Sequence, residues 1–299
     1  MKNMTIQSNK AILVLWVLLA YTALLMHASP ILAAHQEVGG EGDDEFSYIE
    51  GSDRGPERWG ELKEKWATCG DGNLQSPINL RNERLVVTSK LGELKSSYKP
   101  RYAILYNRGH DIQLQWEGDA GFTEINGTKY FLKQIHWHHP SEHYFNGYRF
   151  DLEAHLVHTS ANGGVAVVSI MYAYGRPDSF LSKLEKHIWS IAEEKTQEDV
   201  GVIDPNDIKV GGKRYYRYVG SLTTPPCTEG VIWTIYRSIM SVSRDQVKAL
   251  TCAVEEDAKK NARPLQPLNN RKVYLYCPGY PGLNTESMFD SGSDSIDVS

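Results

Sequence analysis

The sequence predicts a mainly β single domain, built on a large, mostly antiparallel twisted central sheet with short peripheral helices. Three observations carry that reading. Runs of β-branched and aromatic residues recur through the middle of the chain between turn residues. Seventeen tyrosines and seven tryptophans in 299 residues suit half-buried pleated surfaces. Helical spacing of apolar residues is confined to two stretches.

Taken in order, the chain begins with Lys2 and Lys10 around an apolar run from Ala11 to Met26, then small residues ending in Ala33-Ala34. This is the pattern of a secretory signal over residues 1–34. The other reading, a membrane anchor, fits less well because the run is short and broken by Tyr21-Thr22. Residues 35–45 are polar, glycine-rich and acidic, and read as a flexible leader. The globular segment is expected over 46–278. Trp59 and Trp66 bracket a short helix or turn near its start. Tyr102–Tyr106 and Asp111–Trp116, joined through Asn107-Arg108-Gly109-His110, are set up as a hairpin. Further strands are expected at Lys129–His138, Phe150–His158, Val165–Tyr172, Arg214–Tyr218, Val231–Tyr236 and Val273–Tyr276. Ser179–Glu194 has helical spacing. A second helix should start after Ser243, with Ser243 and Gln246 forming a capping box, and run to about Asp257. Residues 279–299 read as a disordered acidic tail.

Composition excludes some partners. With 37 acidic and 32 basic residues the net charge is −5, so there is no basic field to attract nucleic acid. After the first 34 residues no segment is apolar enough to span a bilayer, and no stable membrane anchor is expected. Four cysteines in a chain bound for an oxidising compartment allow two disulfides, in three pairings. Asn126-Gly127-Thr128 is an acceptor sequon for glycosylation. The sequence sets no oligomeric state.

Five of the ten histidines lie between His136 and His155. Alternate residues of a strand share a face, so His136 and His138 project together, and His155 on a paired strand can join them. His139 and His158 point the other way, while spacing alone leaves His143 open. Three neutral imidazoles with one open position are the ligand set of a catalytic zinc. Gln134 shares the face of His136, and Glu153 that of His155, so each can orient a ligand or simply line the site.

Four ordered motifs then make a resemblance specific: Gln75-Ser76-Pro77-Ile78-Asn79, His136-Trp137-His138-His139-Pro140-Ser141-Glu142-His143, Glu153-Ala154-His155-Leu156-Val157-His158, and Gly220-Ser221-Leu222-Thr223-Thr224-Pro225-Pro226-Cys227. Together they resemble an α-class carbonic anhydrase over roughly Phe46 to Pro278, and the secreted form is similar to the plant branch of that family. The resemblance implies reversible hydration of carbon dioxide to bicarbonate and a proton through zinc-bound hydroxide, with His136, His138 and His155 as the Zn²⁺ ligands. It implies that Thr223 and Glu142 orient the nucleophile, that Thr224 contacts bicarbonate, and that Val157, Val167, Leu222, Val231 and Trp233 wall the CO₂ site. It places a proton shuttle at His110, where histidine suits because it changes charge near neutral pH, although Arg108 brings a cation beside it. Gln134, Glu153 and the backbone carbonyl of Asn270 would orient the ligands, and Cys69 and Cys227 would form a disulfide. Cys252 and Cys277 are left open. The expected location is the secretory pathway and the apoplast, or the plastid reached by that route. The resemblance also implies a rival, because some plant relatives are storage or binding proteins on the same fold.

Overall fold

The computed structural model describes residues 46–192 and 197–280. The signal, the leader and the tail from residue 281 lie outside the described residues. The chain opens with two single-turn helices, α1 (Trp59–Leu62) and α2 (Thr68–Asp71). The strands β1 (Asn79–Leu80), β2 (Leu85–Thr88), β3 (Lys95–Tyr98), β4 (Arg101–Asn107), β5 (Ile112–Trp116), β6 (Gly121–Ile125), β7 (Thr128–His138), β8 (Tyr144–Phe145), β9 (Tyr148–Arg149), β10 (Leu152–Ser160) and β11 (Val165–Tyr174) follow. Then come α3 (Leu181–Ser190), β12 (Gln197–Ile203), β13 (Tyr215–Ser221), β14 (Glu229–Val242), α4 (Arg244–Cys252) and β15 (Val273–Tyr276).

The main sheet runs β12-β4-β5-β7-β10-β11-β14-β13-β15-β2, with β6 paired to β7 and β3 paired to β6. It is mixed: β11–β14 and β15–β2 are parallel, and its other pairs are antiparallel. The central strands β7, β10 and β11 are buried on both faces, so their sequences show long apolar-rich runs rather than clean alternation. One face packs Ile135, Trp137, Leu156 and Val168 beneath α3 and α4. The other packs Val157, Val167, Val231 and Trp233 beside the histidines.

The expected strands and the β4–β5 hairpin are present. The edge strand β12 was not foreseen, because Gln197–Ile203 opens with three polar residues, is interrupted by Gly201 and has no fully buried position. On α3, Leu181, Leu184 and Ile188 form the buried stripe. On α4 both arms of the capping box form: Gln246 N donates to Ser243 Oγ at 3.1 Å, and Ser243 N donates to Gln246 Oε1 at 3.2 Å. The helix stops at Cys252, short of Asp257. Glu255 N donates instead to Gly109 O at 2.8 Å, which turns the chain under the site.

Candidate active site

Sheet register assembles the histidines. His155 is the in-register partner of His136 across β10–β7. The ring centroids of His136, His138 and His155 lie 5.0, 5.2 and 4.6 Å apart, pair by pair. All three are buried, and one nitrogen from each falls within 4.8 Å of the others. Their remaining nitrogens are engaged. His136 Nδ1 donates to Gln134 Oε1 at 2.9 Å, His138 Nδ1 to the carbonyl of Asn261 at 2.7 Å, and His155 Nε2 to Glu153 Oε1 at 2.7 Å. Each imidazole is thereby fixed with a lone pair directed at a common point, which is how a metal-ligating histidine is prepared. His138 Nε2 is buried with no hydrogen-bond partner among the described residues, as a nitrogen reserved for a metal would be. Burial pushes all three imidazoles below their ordinary pKa, His136 furthest, so they are neutral and able to ligate. The residues present therefore fit a zinc ion.

The Asn270 expectation is corrected here. Asn270 is exposed on a turn, and the carbonyl that orients His138 is that of Asn261. Asn261 also ties the neighbourhood together: its Oδ1 accepts from His139 N at 2.8 Å, and its Nδ2 donates to the carbonyls of His110 at 2.9 Å and Trp137 at 3.1 Å. Its position in a loop more than a hundred residues from the ligand gives no local sequence signal.

Three neighbouring histidines are directed elsewhere, although His143 also falls with Glu153 and His155 in a second group compact enough to hold a metal. His143 donates from Nδ1 to Glu153 Oε1 at 2.8 Å, and its Nε2 accepts from Tyr218 Oη at 2.7 Å, so neither nitrogen is open. His139 Nδ1 donates to the carbonyl of Asp151, and His158 accepts from Tyr98 Oη at 2.8 Å on the far face.

Two buried carboxylates serve the site in different states. Glu153 accepts from the backbone N–H groups of Glu142 and His143, both at 2.8 Å, from His143 and His155, and from Ser169 Oγ at 2.6 Å. Burial pushes its pKa up, but the donors, led by His143, hold it well below the usual range. Glu142 has fewer partners. Its Oε1 accepts from Arg263 N at 2.8 Å, while Oε2 lies 3.6 Å from His138 Nε2 and has no hydrogen-bond partner among the described residues. Burial pushes it up to about 7, against weaker lowering by His155 and by the nearby Thr223 hydroxyl. Arg263 and Ser169 were not singled out by sequence, because a backbone N–H and a short hydroxyl carry no motif.

Thr223 is buried and Thr224 partly so, in a tight loop where Cys227 N donates to Thr224 O at 2.8 Å and Leu222 N to Thr228 O at 3.0 Å. A disulfide joins Cys69 to Cys227 and anchors this loop to α2. Cys252 and Cys277 are free. Val157, Val167, Leu222, Val231 and Trp233 form one buried apolar cluster, and the Trp233 ring stands 4.9 Å from that of His155.

His110 is mostly buried under Phe46, with ring centroids 5.3 Å apart, and close enough to His138 for its charge to act there. The cation expected beside it is neutralised: Arg108 Nε donates to Asp111 Oδ1 at 2.7 Å, with a second bond from Nη2 to Oδ2. Burial would raise the pKa of Asp111, but Arg108 and then His110 hold it far below the ordinary range. Tyr48 packs against Trp59, as a core tyrosine would, yet its buried hydroxyl has no partner and senses Glu142 and Asp111.

A mainly β sheet with three prepared imidazoles on one face defines a class, and comparison supplies its family. The sequence profile of the eukaryotic-type carbonic anhydrases matches residues 54–277, and the chain belongs to that family. It is similar to alpha carbonic anhydrase 7 of Arabidopsis thaliana, 51% identical over 255 residues, covering 85% of this chain and 92% of the relative. It is equally similar to dioscorin dioA3 of Dioscorea japonica, 51% identical over 235 residues, covering 78% and 87%. Among solved structures, dioscorin complexed with ascorbate superposes with a TM-score of 0.77 at 50% identity, covering 79% of this chain and 99% of that one. The α-carbonic anhydrase of Thermovibrio ammonificans with sulfanilamide gives 0.71 at 34% identity, covering 79% and 100%.

Proposed function

We propose that this protein hydrates carbon dioxide reversibly to bicarbonate and a proton, with His136, His138 and His155 holding a resident zinc. Identity alone does not separate the readings, since a carbonic anhydrase and a dioscorin match at the same 51%. The observation that carries the proposal is the complete set of oriented, neutral imidazoles together with the Glu142–Thr223 pair.

A bound zinc supplies Lewis acidity that makes water nucleophilic near neutral pH. The protein's own residues do the rest. Glu142 takes the hydroxyl proton of Thr223 as a hydrogen bond, so the oxygen of Thr223 is left to accept one from the nucleophile and aim it. Arg263 N holds Glu142 in place for this. Thr224 meets bicarbonate as the product forms. Val157, Val167, Leu222, Val231 and Trp233 offer an apolar wall to an apolar substrate. The released proton passes to His110 and from there to buffer.

The secretory route is part of the same reading, with delivery to the apoplast or, through that route, the plastid. The Cys69–Cys227 disulfide belongs in an oxidising compartment. Asn126 is exposed at the tip of the β6–β7 hairpin, where Asn126 and Gly127 both take positive φ, at 51° and 77°; glycosylation there would meet no packing. No helix among the described residues is long and apolar enough to cross a membrane.

The deciding experiment measures zinc content and stopped-flow CO₂ hydration on one sample of the mature protein, beside His136→Ala. Stoichiometric zinc with fast hydration, both lost in the variant, is expected. Equal hydration rates for the two proteins would overturn the assignment and favour a storage or binding protein.

A further inference from the structure

The face of the sheet opposite the histidines holds a cation without a counter-ion. Arg217, in the middle of β13, is only 8% exposed, and its Nε is buried with no hydrogen-bond partner. Its electrostatic surroundings are three tyrosines, Tyr215, Tyr236 and Tyr130, and include no carboxylate among the described residues. Glu93, the carboxylate sensed by Tyr236, is held by Lys213 at 3.0 Å. The guanidinium lies 5.0 Å from the Tyr215 ring centroid. A ring face attracts a cation but does not replace the planar acceptors that a guanidinium fork is shaped to meet. A buried charge left in that state is costly.

A second unsatisfied group stands beside it. Thr234 on β14 is the in-register partner of Arg217, is fully buried, and its Oγ1 has no partner. In-register side chains on neighbouring strands are about 5 Å apart at Cβ and share a face. A guanidinium fork and a hydroxyl donor therefore address the same space, and nothing in the described chain answers either. This part of the face borders solvent: Val219, two residues on in β13, is 46% exposed, and Val86, two strands across and in register with Arg217 through Tyr274, is 36% exposed.

We propose that Arg217 and Thr234 form a binding site for a small oxyanion, such as phosphate or bicarbonate, on the back of the sheet and separate from the histidine site. The anion would accept the Arg217 fork bidentately and the Thr234 hydroxyl singly, and tyrosines would close round it.

The test is a calorimetric titration of the full mature protein with inorganic phosphate, repeated on Arg217→Met, Thr234→Val and His136→Ala. Saturable binding is expected in the wild type and, unchanged, in His136→Ala. Arg217→Met should bind at least about tenfold more weakly and Thr234→Val a few fold more weakly, as follows from losing a charged and a neutral hydrogen-bond donor. Phosphate should raise the melting temperature of the wild type and not of Arg217→Met. If Arg217→Met does not fold, Thr234→Val carries the comparison. Absence of saturable binding in the wild type, equal affinity in the Arg217 and Thr234 variants, or loss of binding in His136→Ala would overturn the proposal. Bicarbonate displacing phosphate from His136→Ala would show that the reaction's own product can occupy the site; failure to displace it would overturn bicarbonate as a ligand.

Discussion

The carbonyl oxygen of Asn261 accepts from Nδ1 of His138 at 2.7 Å, joining a zinc-ligand candidate to a residue 123 positions away. The bond is to backbone, so substitution at Asn261 does not remove it directly. The Asn261 side chain is what keeps that carbonyl in position, through its bonds to His139 N and to the carbonyls of His110 and Trp137. Asn261→Ala should therefore weaken zinc retention about tenfold, at the lower end of the effect of losing an outer partner of a metal ligand. It should also cost about 2 kcal/mol of stability through unsatisfied buried groups. Competition with a chelator and urea unfolding measure the two effects. Unchanged zinc retention would mean that the loop holds its carbonyl without the side chain.

His110 and Asp111 bear on the proton path. The Arg108 charge that could have disturbed it is spent on Asp111. His110→Ala should lower turnover about a hundredfold in weak buffer, at the lower end of the range of lost proton-transfer catalysis. Added imidazole should restore it, while zinc content stays unchanged. Stopped-flow rates with and without imidazole decide the matter, and a deficit that imidazole fails to repair would remove His110 from the path.

How much of this was visible in the chain depends on what kind of signal each feature has. Alternation placed His136 and His138 on one face because the strand period is two, and His155 followed once a neighbouring strand was inferred. The Ser243 capping box was legible because its two side chains are local. Asn261 and Arg263 were not legible as site residues. They act through a backbone carbonyl and a backbone N–H, which every residue type offers, and only the folded course of the loop brings them to His138 and Glu142. The pairing of Arg108 with Asp111 lies three residues apart in sequence, but whether the pair is buried depends on Phe46 and the α4 region packing over the turn. The unpartnered state of Arg217 required the whole sheet, since it follows from what is missing around it.

His158 gives the protein a pH dependence distinct from that of the metal site. Burial pushes its pKa down to about 4, outweighing the weaker influence of the Ala166 and Leu156 backbone, which favours the charged form. Below its ordinary value of 6.5 the unfolded chain binds a proton that the folded chain refuses, so the stability associated with His158 is complete above about pH 6.5 and is lost as pH falls towards 4. The shift sets an upper bound of about 3 kcal/mol for that loss. Urea unfolding at pH 7 and pH 4.5 should show a smaller fall for His158→Gln than for the wild type. Equal falls would show that other groups account for the acid sensitivity.

The Cys69–Cys227 disulfide closes a separation of 158 residues and holds Cys227 four positions from Thr223. Removing so long a constraint from the unfolded chain should cost about 2–5 kcal/mol in stability. Its effect on the site should be separable from its effect on stability. Gln75 Nε2 still donates to the carbonyl of Cys227 at 3.1 Å, so the loop has a second anchor and should loosen rather than detach. The Cys69→Ser, Cys227→Ser double variant should thus retain zinc, because the three histidines are on β7 and β10, yet hydrate CO₂ more slowly, because Thr223 and Thr224 ride on the loosened loop. Thiol labelling provides the control: the unfolded wild type should expose two reactive cysteines, Cys252 and Cys277, before reduction and four after it. A double variant that loses zinc and hydration together would show that the loop supports the ligands themselves.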